Sequence, residues 1–285
     1  MKKFKRIYIE ITNVCNFKCS FCIETNRKKR FMSKEEFSKI IDKVKNNVES
    51  VFLHIKGEPL LNKDLEYILE ICEKNNLDVN ITTNGYLLGE NKEKLVKSKS
   101  LRQLNVSLHS IEENKLNNIS QKEYVDKVIN ACKYIDKNSK CIISYRLWNL
   151  DEIKKLDKDR YILEKLEKEY NFNADNIQKN YMKLTDKTYL NLDTIFKWPC
   201  LENDIISKCG SCYGLRTQIG ILVDGSVVPC CLDNNGDITL GNIFEEDLET
   251  ILNKKRAKDI YNGFMTGKLV EPLCQRCGFR ENKRK

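Results

Sequence analysis

Over its first half the chain alternates short β-like segments with longer stretches of helical period. Residues 6–12 (RIYIEIT) alternate apolar and polar positions, the period-two pattern of a strand. Ser33 stands three residues before Glu36, which is capping-box spacing, and Phe37, Ile40, Ile41, Val44 and Val48 follow at helical period. Further strands are expected at 50–55 (SVFLHI), 78–83 (DVNITT), 103–108 (QLNVSL) and 140–146 (KCIISYR). Between them Leu65, Ile68, Leu69 and Cys72 mark one helix face, and Tyr124, Val128, Ile129, Cys132 and Ile135 mark another. A charged helix is expected over 151–170 and a sixth strand over 187–192 (KTYLNL). Strand and helix recurring every 25–45 residues or so predict an α/β fold. Its parallel sheet has right-handed crossovers, here a partial (β/α)6 TIM-like barrel.

The pattern changes after Trp198-Pro199. Residues 216–223 and 226–230 flank Asp224-Gly225, a two-residue hairpin signal, and a helix is expected over 245–262, stopped by Gly263. Two domains follow: a core over 1–195 and a small α+β hairpin-and-helix domain over 196–285. With 41% hydrophobic and 32% charged residues in 285, the chain has enough apolar material for a core, which excludes wholesale disorder. No apolar run approaches the ~18 residues of a membrane span, so no membrane partner is expected. Residues 1–12 lack the apolar centre of a signal peptide, so the chain is expected to be cytoplasmic. The net charge of +9 fits anionic partners or plain solubility and does not by itself argue for nucleic acid. Two histidines, His54 and His109, are too few for His-rich zinc catalysis. His54 lies inside the second strand and reads as packed. His109, at a strand end, could exchange a proton near neutral pH.

Thirteen cysteines change the picture most. The count is odd and no export signal accompanies it, so thiolate–metal ligation explains it better than a disulfide scaffold. Cys72, Cys132 and Cys141 fall on apolar faces and read as core. Cys15, Cys19 and Cys22 fall within eight residues directly after the first strand, where barrel loops carry chemistry. A structural zinc takes four ligands, whereas three thiolates on a cubane cluster leave one iron open. Zinc or three packed thiols are the other readings.

The spacing C-x3-C-x2-C, with Phe21 before the last cysteine, resembles the signature of the radical SAM superfamily. That resemblance implies an open iron binding the amino and carboxylate groups of S-adenosylmethionine (SAM), reductive cleavage of SAM, and hydrogen abstraction by the 5′-deoxyadenosyl radical. Gly57-Glu58-Pro59 resembles the family's Gly-Gly-Glu element, with Lys56 in place of the first glycine, and implies a seat for the methionine ammonium. By the same resemblance Ser107 contacts ribose or carboxylate, Arg146 meets the carboxylate, Phe21 packs near adenine, and Asn84 is either a ligand position or a strand-ending turn.

Cys212, Cys230, Cys274 and Cys277 could close one site completely, as zinc or an iron–sulfur cluster requires. The segments DGSVVPCC, LGNIFEEDLETI and PLCQRC resemble the SPASM/twitch extension of radical SAM enzymes. No cysteine follows Cys277, which implies the shortened twitch form with one auxiliary [4Fe–4S] cluster. Cys231 competes with Cys230 for the ligand position. Cys200 and Cys209 have no assigned partner, and Cys209-x2-Cys212 with Cys274-x2-Cys277 also fits a zinc ribbon.

The resemblance implies an oxidoreductase or maturase-type enzyme that cleaves SAM and dehydrogenates or crosslinks a peptide or small molecule with help of the auxiliary cluster. A reductant such as ferredoxin or flavodoxin would supply electrons. The first strand begins near residue 7, which leaves no leader-binding domain before it, so a peptide would need a separate recognition protein or direct capture. No residue is assigned as general base. The alternatives are radical SAM modification of RNA or a protein, and a non-enzymatic zinc-ribbon binder.

Overall fold

Period-two alternation becomes strand at the predicted places. The computed structural model describes residues 4–109, 114, 119–149, 160–177 and 180–282. Its strands are β1 (Phe4–Ile9), β2 (Val48–Phe52), β3 (Asp78–Thr83), β4 (Leu101–Ser107), β5 (Ile142–Leu147), β6 (Tyr181–Lys183), β7 (Thr188–Leu192), β8 (Gln218–Ile221), β9 (Ser226–Val228) and β10 (Gly241–Asn242). Its α-helices are α1 (Lys34–Val44), α2 (Leu65–Lys74), α3 (Leu88–Lys97), α4 (Gln121–Asn138), α5 (Arg160–Tyr170), α6 (Leu248–Asn253), α7 (Lys255–Met265), α8 (Pro272–Gln275) and α9 (Phe279–Asn282). The chain forms two units.

One unit comprises Met1–Val14, Ile23–Val79 and Phe196–Lys285. Here β1 pairs in parallel with β2 on one edge, Ile7 opposite Val51, and with β8 on the other, Ile7 opposite Ile219. β9 returns antiparallel to β8 and β10 antiparallel to β9, giving the order β10-β9-β8-β1-β2. The expected hairpin at Asp224-Gly225 is present. Gly225 has φ +87°, and a Cβ there would stand 2.4 Å from the Phe244 ring. The capping box of α1 forms: Ser33 Oγ accepts from the Glu36 N–H at 3.2 Å, and the Glu36 carboxylate accepts from the Ser33 N–H at 3.0 Å. That fixes the helix so that Phe37, Ile40, Ile41 and Val44 are buried.

The expected helix over 245–262 is two helices. The extended backbone of Lys254 (ψ 150°) separates α6 from α7, and α7 runs past Gly263. Gly263 is not a stop signal. It lies in the helix because a Cβ would come within 2.7 Å of the Lys268 carbonyl oxygen, and the chain turns back at Gly267, φ +76°.

The second unit comprises Cys15–Cys22 and Asn80–Ile195. β4, β5 and β7 run parallel, with Ser107 opposite Arg146 and Arg146 opposite Asn191, and β6 is antiparallel to β7. The order is β3-β4-β5-β7-β6, and Asn105 Nδ2 ties β4 to the Ile81 carbonyl at 3.2 Å. The predicted stripe of α4 (Tyr124, Val128, Ile129, Cys132 and Ile135) is buried. Of the helix expected over 151–170, residues 160–170 form α5, and 151–159 lie outside the described residues. Only Leu88 and Leu95 of α3 are buried, too thin a stripe to read from sequence.

Candidate functional site

In the second unit, residues 15–22 form a loop whose shape is set by asparagines. The Cys15 sulfur accepts from the Phe17 N–H at 3.4 Å and faces Asn84 Nδ2 at 3.9 Å. Asn84 Nδ2 also donates to Asn16 Oδ1 at 2.8 Å, while its own Oδ1 accepts from the Tyr86 N–H at 3.0 Å. Asn84 thus both ends β3 and holds the cysteine loop. Asn114 does the same from the other side: its Oδ1 accepts from the Lys18 N–H at 2.6 Å and its Nδ2 faces the Cys19 sulfur at 3.7 Å. Cys22 is fixed through its N–H to the Cys19 carbonyl at 3.0 Å. Cys15 is exposed, and Cys19 and Cys22 are half-buried. Sequence reasoning missed Asn16 and Asn114, which belong to no motif.

Phe21 lies 4.8 Å, centroid to centroid, from the buried His109 ring, which in turn stacks on Trp148 at 6.4 Å. The Arg146 guanidinium sits over the Trp148 ring at 4.7 Å and reaches Thr82 Oγ1 at 3.5 Å. His109 Nδ1 is 3.2 Å from the Arg146 carbonyl oxygen. The structure therefore joins Phe21, His109, Trp148 and Arg146 into one aromatic and cationic wall, with Ser107 in register beside Arg146.

In the first unit, Gly57 takes φ +77° beneath the Thr12 and Val14 carbonyls. The Glu58 N–H donates to Val14 O at 2.8 Å. Glu58 is 2% exposed, and its Oε1 caps the following 3-10 turn by accepting from the Leu60 N–H at 3.1 Å. This carboxylate has a structural task that the sequence did not reveal.

The same unit gathers four thiols. The Cys209–Cys212 segment is stitched to the chain ahead of Cys274: the Gly210 N–H donates to Gly267 O at 2.7 Å and the Leu269 N–H to Lys208 O at 2.9 Å. Gln275 O accepts from the N–H groups of Ile206 and Ser207 at 2.9 and 3.0 Å. On the other side the Leu215 N–H reaches Pro229 O at 3.3 Å, which brings Cys212 toward Cys230. Burial and the neighbouring thiols Cys212, Cys231 and Cys274 push the Cys230 thiol well up. Burial, Cys212 and Cys277 push Cys274 up, and burial and Cys212 raise Cys277. Thiols that raise one another in this way are a set that a positively charged metal centre would stabilise as thiolates. Cys231 is pushed up to about 12 by burial, and it packs against an apolar cluster of Tyr8, Ile55, Leu222 and Val228. Among the described residues, no three Cys, His, Asp or Glu side chains gather tightly enough for a single metal ion.

A family model described as the radical SAM superfamily matches residues 9–157, and one described as an iron–sulfur cluster-binding domain, SPASM, matches residues 212–278. GTP 3′,8-cyclase of Campylobacter jejuni subsp. doylei is 30% identical over 169 residues, which is 56% of this chain and 51% of that protein. The probable GTP 3′,8-cyclase of Methanocaldococcus jannaschii is 29% identical over 273 residues, covering 83% and 89%. The chain spans about half the length of the first curated relatives it matches. Among solved structures, BtrN in complex with AdoMet and 2-DOIA aligns with TM-score 0.64 at 17% identity, covering 97% of this chain and 94% of that one. SuiB of Streptococcus suis, bound to precursor peptide SuiA, aligns with TM-score 0.59 at 21% identity, covering 99% and 71%. At these identities the likeness shows the fold, an α/β partial barrel.

Proposed function

The chain belongs to the radical SAM superfamily, and from that premise we propose that it oxidises a small organic substrate by two electrons, with the four-thiol site as electron acceptor. The family matches imply a SAM-binding [4Fe–4S] cluster, SAM, and iron–sulfur binding by residues 212–278. When bound, the first cluster supplies the electron that splits SAM into methionine and a 5′-deoxyadenosyl radical, which takes a hydrogen atom from the substrate. Cys15, Cys19 and Cys22 hold that cluster, with Asn84 and Asn114 fixing their loop. Phe21 and Trp148 offer ring faces for adenine, and Arg146 with Ser107 offers donors for the methionine carboxylate. Gly57 and Glu58 are assigned to the methionine ammonium. The core over 1–195 and the auxiliary domain over 196–285 are the corresponding division of labour.

One observation carries the oxidative reading: backbone hydrogen bonds draw together the segments that bear Cys212, Cys230, Cys274 and Cys277. Four thiolates satisfy a four-iron cluster and leave no iron for substrate, which favours electron uptake over substrate ligation. The small-molecule class is supported by curated relatives named for a GTP reaction and by the near-complete mutual coverage with BtrN. A ferredoxin or flavodoxin would be the reductant.

Anaerobic reconstitution is expected to load about eight irons, four per cubane cluster. SAM cleavage under dithionite should then appear, and replacing Cys15, Cys19 and Cys22 by Ala should abolish it while about four irons remain. Retained cleavage would falsify the assignment. The relatives' names favour a second reading, cyclisation of GTP. Incubation with GTP separates the two: a SAM-dependent product of unchanged mass supports cyclisation, whereas loss of about 2 Da from another metabolite supports dehydrogenation.

A further inference from the structure

Arg280 is 9% exposed, and among the described residues its buried Nε–H has no hydrogen-bond partner. Native interiors rarely leave such a donor unmet without a ligand to meet it. The residue sits three positions after Cys277, in α9. The backbone and positive charge of Arg280 act to lower the Cys277 thiol, against the burial that raises it. A second anchor holds the side chain: Arg280 Nη1 donates to the Cys209 carbonyl at 3.5 Å, three residues before Cys212. The intervening turn is fixed too. The Gly278 N–H donates to Lys197 O at 3.1 Å, and a Cβ on Gly278 would stand 2.6 Å from that oxygen. Arg280 is thus held between two of the four thiol-bearing segments, with its buried Nε donor unspent among the described residues.

We propose that Arg280 Nε donates a hydrogen bond to a sulfur of the auxiliary cluster, the Cys277 thiolate or an inorganic sulfide, and thereby raises the cluster's reduction potential. The inference rests on the auxiliary-cluster reading above. Reduction adds one negative charge to a buried anionic centre, and a nearby cation with a hydrogen bond to sulfur stabilises the reduced state more than the oxidised one. That is what an acceptor needs here. The substrate radical gives up one electron and one proton on becoming product. The cluster takes the electron and later passes it to a one-electron carrier protein, and the proton goes to solvent. Arg280 is a positioning and tuning residue and makes no substrate contact.

The test uses the full chain with Cys15, Cys19 and Cys22 replaced by Ala, so that only one cluster reports. Iron content and an EPR-monitored redox titration are measured for this parent and for Arg280→Met, Arg280→Gln and Arg280→Lys. Arg280→Met should lower the midpoint so that the reduced-to-oxidised ratio at the parent's midpoint falls about tenfold, 59 mV for one electron. Arg280→Lys keeps the charge but loses the planar donor and should fall between. Unchanged midpoints in variants that retain about four irons overturn the proposal and leave the cluster reading intact. A parent that binds no iron overturns the cluster reading itself. Should Arg280→Met fail to hold iron, the Gln and Lys variants decide by the direction of their shifts.

Discussion

A Cβ on residue 57 would stand 2.4 Å from the Thr12 carbonyl oxygen and 2.8 Å from that of Val14. Both obstacles are backbone, so neither can swing aside, and φ +77° disfavours any side chain. Gly57→Ala is expected to destabilise the fold by about 1–3 kcal/mol and to weaken SAM binding. Chemical denaturation and equilibrium binding check it, and two unchanged midpoints would count against the close approach. The buried thiols make a second case. Burial pushes Cys72, Cys132 and Cys141 up to about 12 from an ordinary 9.0. The fold favours their protonated form, so the stability they confer is complete below pH 9. It drains away as the pH climbs toward 12, where the unfolded chain has already lost those protons. At pH 8 the thiolate, the form that reacts, is nearly absent. Iodoacetamide on the iron-free protein should therefore label exposed Cys209 and spare these three until denaturant is added, as read by peptide mass spectrometry. Labelling of Cys132 in the folded chain would contradict the burial.

The elements of the first unit are tied by one buried ion pair. Arg27 Nη1 and Nη2 donate to the two Glu10 oxygens at 2.8 and 2.7 Å, and Arg27 Nε donates to Asn234 O at 2.8 Å. The Val223 N–H donates to Glu10 Oε2 at 3.0 Å, so the end of β1, the segment after the cysteine loop and the β8–β9 hairpin share one carboxylate. Glu10 is fully buried, and removing Arg27 would strand its charge. Arg27→Met is expected to cost about 3–5 kcal/mol, with part of the loss recovered when Glu10→Leu is added. A single-variant loss under 1 kcal/mol in urea unfolding would contradict that role. The same pair marks how far sequence could be read. Alternation in RIYIEIT places Glu10 with Arg6 on the polar face, the solvent side of a half-buried strand. β1, however, is paired on both edges, and Tyr8 and the Glu10 that follows it are buried as well as Ile7 and Ile9. Period two cannot report a second covered face, and Arg27 sits in a stretch with no period at all. The Cys15–Cys19–Cys22 loop was legible because its spacing is local, whereas Asn114 lies 95 residues from Cys19 and belongs to no motif. Gly263 misled for a related reason: the contact that requires it, the Lys268 carbonyl, is invisible to a rule about helix stops.

Across the whole molecule the cysteines fall into classes that composition alone could not separate. Cys72, Cys132 and Cys141 are inert core, Cys231 packs against Tyr8, and Cys209 lies at the surface. Cys230, Cys274 and Cys277 form a group with Cys212, and burial and the neighbouring thiols raise these three. Without metal, burial and the neighbouring thiols disfavour ionisation of Cys230, Cys274 and Cys277. With metal the penalty reverses, because bound thiolates are deprotonated and the binding energy becomes folding energy. The backbone stitching that brings them together, from Gly210 to Gly267 and from Ile206 to Gln275, joins distant stretches of chain by single hydrogen bonds outside regular strands and helices. Cluster removal should therefore loosen this region first. Hydrogen exchange on reconstituted and chelated protein is expected to show faster amide exchange over 206–216 and 267–280 after chelation. Over β4 and β5, whose hydrogen bonds belong to a parallel sheet, the rates should be unchanged. Equal loosening of both regions would mean that the four thiols support the whole chain, and no change in either would mean that the gathered thiols hold nothing that the fold depends on.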